Sequence, residues 1–321
     1  MFSMYLQLLG VFLLSFFGTM VLNIIFRFLG KRRLLGNLYQ NIRGGTPRAI
    51  GLIPFILLSL YLPQGFNDLV LVIGIFAFVD DLLGRRKILN LNVEWGQLFR
   101  GVGMLLVMII GFPLMGWSSI LVALLVQPVN ISDMQPGSTC SVVFILAAIV
   151  SILMVIIGTA PILELPAFYT PLLILAVCLG YAPLDYFGKI MLGEVGNHSF
   201  AIALGISFYM LGGFWCTLIF FIITTILIAF IRRNNLYRFL SRKLKIYNPT
   251  FGDYFMDVLT GGGLGDLFRK IVLGQRQIRV SNPLLIILGF RRLLYNPFAP
   301  NNKQHFSNDR QVNKNSLRKF L

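Results

Sequence analysis

The chain has 321 residues, of which 56% are hydrophobic and 12% charged, with a formal net charge of +16. Its mean hydropathy is +0.78. Soluble domains carry about 25% charged residues, so this composition excludes a secreted globule, a disordered chain and a collagen-like chain, and indicates a polytopic membrane protein.

A membrane-crossing helix needs about 20 apolar residues to cover a hydrocarbon core of about 30 Å. In chain order the sequence predicts about nine spans (8–10), at 4–28, 48–63, 67–83, 99–115, 116–129, 141–159, 166–182, 198–212 and 213–231. The expected fold is therefore an all-α transmembrane bundle over 1–231. Residues 281–290, SNPLLIILGF, are too short to cross and read as an interfacial segment. From 232 to 321 the chain turns basic, Asn-rich and less apolar. This tail reads as short amphipathic helices against anionic lipid, with disorder expected over about the last twenty residues.

Alternating nine spans from an outward N-terminus puts all 28 Lys and Arg on the cytoplasmic face. The positive charge is thus a record of membrane orientation, and no nucleic-acid partner is implied. The first span has no basic residue in MFSMYLQ and too long an apolar run for a cleaved leader. Cys140, Cys178 and Cys216 lie far apart, and only His198 and His305 are present. Neither a disulfide framework nor a histidine- or cysteine-built zinc site is supported.

Ionisable groups close to apolar spans are expensive and point to function. Asp80 and Asp81 end the third span in FAFVDDLLGRR. Adjacent carboxylates repel, and a helix C-terminus disfavours both, so a bound cation would relieve them. A polar stop to the helix is the alternative. Asn130 and Asp133 stand in PVNISDMQPGST, whose composition also suits an ordinary turn. Glu194 stands in KIMLGEVGNHSF, where Gly193 and Gly196 permit close backbone approach and the next helix could offer free N–H groups to a phosphate. Arg43 and Arg48 flank glycines in RGGTPRAIGL, a candidate anion site or plain positive-inside charge with Pro47 at a helix start. Glu94 and Asp185 carry no motif and read as solvated loop charges. The alternation gathers all four strings on one membrane face, a grouping suited to a divalent metal and a diphosphate.

On these strings the chain resembles the polyprenyl-phosphate N-acetylhexosamine-1-phosphate transferases, over about residues 30–215. RGGTPRAIG is similar to the family's threonine-proline-glycine loop, VDDLLG to its paired aspartates, VNISD to its Asn-x-x-Asp motif, and MLGEVGNHSFAIALG to its Gly-Asp-x-Gly-Ser loop. The resemblance implies transfer of a sugar-1-phosphate from a UDP-sugar to a polyprenyl (undecaprenyl) phosphate, with release of UMP, for cell-envelope glycan synthesis. It implies Mg2+, or Mn2+ in its place, held by Asp80 and Glu194. Asp80, Asp81 and Glu194 would be catalytic, and Asn130, Asp133 and Asn197 would bind the nucleotide-sugar. Arg43 and Arg48 would contact phosphate. The implied setting is a multi-pass protein of a bacterial plasma membrane, in contact with membrane lipids and compatible with a homodimer.

The chain also departs from the family. Glu194 replaces its Asp, Asn197 replaces its Ser, the Asp-Gly continuation after VNISD is missing, and the tail carries no histidine-rich motif. These changes argue against the peptidoglycan enzyme of the family. They leave a transferase for another sugar, or a catalytically impaired paralogue that binds nucleotide-sugar or lipid phosphate or scaffolds an envelope assembly. A transporter would place its polar groups near the bilayer midplane, and acids gathered at one face disfavour it.

Overall fold

The structure is a computed structural model that describes residues 2–40, 42, 45–84, 86, 88, 94–159, 166–296 and 299, less the side chains of residues 263 and 264. It is 76% helical, and the chain divides into two compact units, Met1–Thr224 and Thr225–Leu321.

The first unit opens with α1 (Phe2–Lys31), a 3-10 turn (Gly36–Leu38) and a short antiparallel pair, β1 (Tyr39–Gln40) and β2 (Thr46–Pro47). The helices α2 (Leu52–Tyr61), α3 (Phe66–Leu83), α4 (Trp95–Met115), α5 (Ser118–Leu124), α6 (Val126–Ser132), α7 (Ser138–Ile157), α8 (Tyr169–Tyr186) and α9 (Gly193–Ile231) follow. Five of these, α1, α4, α7, α8 and α9, are long and apolar enough to cross a membrane. The other predicted spans take different forms. The apolar run of α2 is ten residues long. Helix α3 has 18 residues but carries Asp68, Asp80 and Asp81. The stretch 116–129 is broken into two seven-residue helices, α5 and α6. The predicted boundary between 212 and 213 is present: within Gly193–Ile231 two helical segments meet across non-helical backbone at Gly212 and at Gly213, whose φ is 66°. A side chain at that φ would strain against its own carbonyl, which is why glycine stands there.

Helix α1 shows how the apolar sequence is divided between lipid and protein. Met4, Leu8, Val11, Ser15 and Thr19 are buried at three- to four-residue spacing, while Leu6, Leu9, Leu13 and Phe17 are exposed. The buried stripe packs on α8. Ser15 Oγ donates to the Val177 carbonyl at 2.7 Å, and a Cβ on Gly180 would stand only 2.7 Å from the Phe12 carbonyl oxygen. Small residues thus let the two backbones touch, as in membrane helix pairs generally. Helix α3 packs on α2 and α4, and α7 on α8. The first half of α9 is central: Phe200, Ala201, Ile202, Ala203, Leu204 and Ile206 show no exposed surface. An apolar helix buried on every side can hold its terminus still for chemistry.

The second unit contains the end of α9, then α10 (Arg233–Arg242), α11 (Phe251–Thr260), α12 (Gly263–Leu273), α13 (Pro283–Ile287) and α14 (Phe290–Leu293). Its interior is ionic as well as apolar. Arg291 reaches Asp253 at 2.6 Å, Arg292 reaches Asp257 at 2.5 Å, and Arg269 reaches Asp266 at 2.7 Å. Thr250 and Asp253 close a capping box at the start of α11. The interfacial segment predicted at 281–290 coincides with α13, where Leu284, Ile287 and Leu288 are exposed.

Candidate functional site

Three backbone hydrogen bonds assemble the site. Residues 47–51 run beside residues 191–192, with Met191 N donating to Pro47 O at 2.9 Å, Ile50 N to Met191 O at 3.2 Å and Gly51 N to Leu192 O at 3.1 Å. Gly51 and Gly196 make this approach feasible, since a Cβ on Gly51 would lie 2.5 Å from the Gly196 Cα. The result sets Arg48 beside the start of α9.

Asp81, at the end of α3, is fully buried. Its Oδ1 accepts from Glu194 N at 3.1 Å and its Oδ2 from Val195 N at 3.0 Å. Arg48 Nε lies 2.9 Å from the same Oδ1. A carboxylate from one helix therefore satisfies the orphan N–H groups of another and complements its dipole. This corrects the expectation that these N–H groups are free for a phosphate, because Asp81 already occupies them. Gly193, at φ +72°, brings the chain round so closely that a Cβ would lie 2.7 Å from Asp81 Oδ2.

Glu194 is the hub. Its Oε2 lies 2.8 Å from Arg100 Nη2 and 3.2 Å from His198 Nε2, and its Oε1 lies 3.5 Å from Arg48 Nη2. Arg100 Nη2 also donates to Asp80 Oδ2 at 3.1 Å. Asp80 is pressed against α4, where a Cβ on Gly96 would fall 1.7 Å from Asp80 Oδ1. Three carboxylates thus meet two guanidinium groups, with His198 fully buried alongside.

A second pair lies one turn along α9. Asn197 Nδ2 donates to Asp133 Oδ2 at 2.8 Å, and Asn197 Oδ1 is buried without a partner. Asn130 stands half-buried one turn before Asp133 on α6. Among the described residues no hydrogen bond joins its side chain to the cluster. Arg43 lies outside the described residues.

The structure brings together Asp80, Asp81, Glu194 and Arg48, and separately Asp133 and Asn197. It adds Arg100 and His198, which the sequence reading passed over. Arg100 belongs to the orienting charges by position, although a single basic residue inside an apolar 21-residue helix is itself a signal. His198 is one of two scarce histidines, yet it stands four residues after Glu194, on the same helix face. Two other acids are not solvated as expected. Asp185 is buried and accepts from Gly137 N at 3.1 Å and Cys140 Sγ at 3.3 Å. Glu94 forms a capping box with Gln97 at the start of α4. Each satisfies backbone donors that loops and helix starts leave open.

Among the described residues no set of three or more His, Cys, Asp or Glu side chains is arranged to hold a metal ion. Magnesium needs less than that from a protein, because it keeps waters and uses one or two carboxylates plus substrate phosphates. Asp80 and Glu194 fit that requirement. Both offer hard oxygen donors, and the two carboxylates converge on a single cationic nitrogen, Arg100 Nη2. The chain matches no protein-family model and no curated protein.

Proposed function

We propose that this protein transfers a sugar-1-phosphate from a UDP-sugar to a polyprenyl phosphate, releasing UMP, as a multi-pass protein of a bacterial plasma membrane with an outward N-terminus and about nine passes. One observation carries the reading. Asp80, Asp81 and Glu194, from two helices far apart in the chain, meet together with Arg48 and Arg100. A reaction between two phosphate groups needs this mixture. Carboxylates recruit a cation, and arginines neutralise phosphate oxygens in a geometry that lone point charges do not supply.

In this reading Asp80 and Glu194 would hold Mg2+ or Mn2+. The ion would supply charge neutralisation between two anionic reactants. Arg48 and Arg100 present positive charge to the phosphates. Asp81 ties the end of α3 to the start of α9 and holds Arg48 in place, so its part is positioning. Asn197 and Asp133 offer polar edges to the nucleotide-sugar, with the unpartnered Asn197 Oδ1 open to a donor. Catalysis by such a site is mostly orientation and electrostatic stabilisation.

A second reading, a catalytically impaired relative that binds the same ligands, has one observation in its favour. Guanidinium groups already pair the carboxylates. UMP release from a panel of UDP-sugars, with undecaprenyl phosphate and magnesium in detergent, separates the two. Release that Asp80→Asn abolishes supports the transferase. A folded protein that binds UDP-sugar and releases nothing with any sugar supports the impaired relative.

A further inference from the structure

We propose that Arg100 is a tethered cation: it occupies the divalent-metal position between Asp80 and Glu194 and is displaced when metal binds. The inference rests on the phosphotransfer reading of the site. Its basis is a single nitrogen, Nη2, that lies 3.1 Å from Asp80 Oδ2 and 2.8 Å from Glu194 Oε2. Bridging two carboxylates from different helices is the work of a metal ion in a site of this composition. A guanidinium can do it because its donors are fixed in a fork and its charge is permanent.

The alternative is an ordinary structural ion pair, and two features speak against it. The first is that Arg100 is seated by one edge only, since its Nε is buried with no hydrogen-bond partner among the described residues. A buried donor without an acceptor bears its full desolvation cost. An arginine whose sole task was to hold helices together would be expected to use that edge. The second is the arrangement on α4. Gly96 and Arg100 are four residues apart, on one helix face, and both press on Asp80. Gly96 has no side chain and fixes the carboxylate against the backbone. Arg100 supplies the opposing charge from a long, flexible stem. The carboxylate is held rigidly while its cation partner can leave.

The charge balance points the same way. Among the described residues, the three carboxylates of Asp80, Asp81 and Glu194 meet two guanidinium groups, those of Arg48 and Arg100, with His198 beside Glu194. Arg48 is tied to Asp81 by Nε at 2.9 Å and is not the exchangeable cation. Displaced by metal, Arg100 would keep its positive charge beside the ion, where the phosphates of a substrate arrive.

The test uses the detergent-purified full chain and Mn2+ alone, with free Mn2+ followed by electron paramagnetic resonance. Arg100→Gln should bind Mn2+ on the order of tenfold more tightly than wild type, about 1.4 kcal/mol, because the internal competitor is gone. Arg100→Lys should fall between them. In chelator, Arg100→Gln should melt below wild type, and Mn2+ should restore it. If wild type binds Mn2+ and Arg100→Gln binds no better, Arg100 is not a competitor and this inference fails while the reading of the site stands. If wild type binds no Mn2+, or Asp80→Asn and Glu194→Gln bind as wild type does, both fall. Should Arg100→Gln not fold, Arg100→Lys carries the same comparison.

Discussion

Asp80 and Asp81 are neighbours in sequence, yet substitution should destabilise the fold to different degrees at the two positions. Asp81 is the more consequential for stability. It has no exposed surface, accepts from two backbone N–H groups of α9 at 3.1 and 3.0 Å, and pairs with Arg48 at 2.9 Å. Asp81→Asn keeps one acceptor oxygen and turns the other toward a backbone donor as an amide. One hydrogen bond to a charged acceptor is lost, worth about 1.5–3 kcal/mol. Arg48 also loses its partner in a buried setting, where breaking a pair costs about 3–5 kcal/mol in full. Arg48 retains some solvent contact and Glu194, so a total of about 3 kcal/mol is expected. For a unit of this size that is roughly 6–12 °C in melting temperature. Asp80→Asn keeps an acceptor oxygen for Arg100, which also keeps Glu194, so the loss is that of a weakened hydrogen bond, about 1 kcal/mol, roughly 2–4 °C. The molecule carries its own reporter, because Cys140 and Cys178 are free and buried. With the half-buried Cys216 replaced by Ser, a thiol-reactive dye reads unfolding as the temperature rises. If Asp81→Asn melts within 2 °C of wild type, or Asp80→Asn is the less stable of the two, the assignment of Asp81 as the helix-tying carboxylate is wrong.

Three further outcomes are expected. Gly96→Ala puts a methyl group 1.7 Å from Asp80 Oδ1; it should displace that carboxylate and lower UMP release at least tenfold, with the loss in kcat if Asp80 acts at the reacting centre. Glu194→Asp draws the carboxylate back by roughly 1 Å, a displacement able to cost on the order of a hundredfold; since Glu194 reaches Arg48, Arg100 and His198, activity should fall, and a rise would mean that the site prefers the shorter ligand. In the second unit, burial pushes the Asp266 carboxyl above its ordinary range, against Arg292 and Arg269, which pull it down. A folded-state value above the unfolded one means that the ionised form is disfavoured in the fold. This group's contribution to stability therefore grows as pH falls through the raised value toward about 4. Asp266→Asn should remove that part of the pH dependence, and a pH series of melting curves with an unchanged slope would contradict it.

The sequence told a good deal about this architecture, and unevenly. Composition and the long apolar runs indicated helices in a membrane, because charge is costly in hydrocarbon. The strings around Asp80, Glu194 and Arg48 were identified because glycines and acids are conspicuous against apolar spans. What escaped reading was tertiary. Asp81 looks like a second catalytic acid beside Asp80, and only the approach of α9 shows that both its oxygens are taken. Asp185 looks like a loop charge until α7 begins against it and its carboxylate meets Gly137 N. The pair Gly212–Gly213, by contrast, marks in the sequence the place where the helical backbone does break.

The substitutions that set this chain apart make sense together better than singly. Glu194 is one methylene longer than the aspartate of the proteins it resembles. In isolation that length would move a metal ligand out of register. Here it is what allows one carboxylate to lie within reach of Arg48, Arg100 and His198 at once. A shorter acid at 194 could serve an ion placed close to α9, but it would leave Arg100 with Asp80 alone and His198 facing nothing. On the proposed exchange, the longer side chain and the arginine on α4 belong to one design, in which a guanidinium holds the carboxylates that a metal ion would take over. Among the described residues three carboxylates meet two guanidinium groups and His198, the balance that the proposed exchange of Arg100 for a metal ion requires.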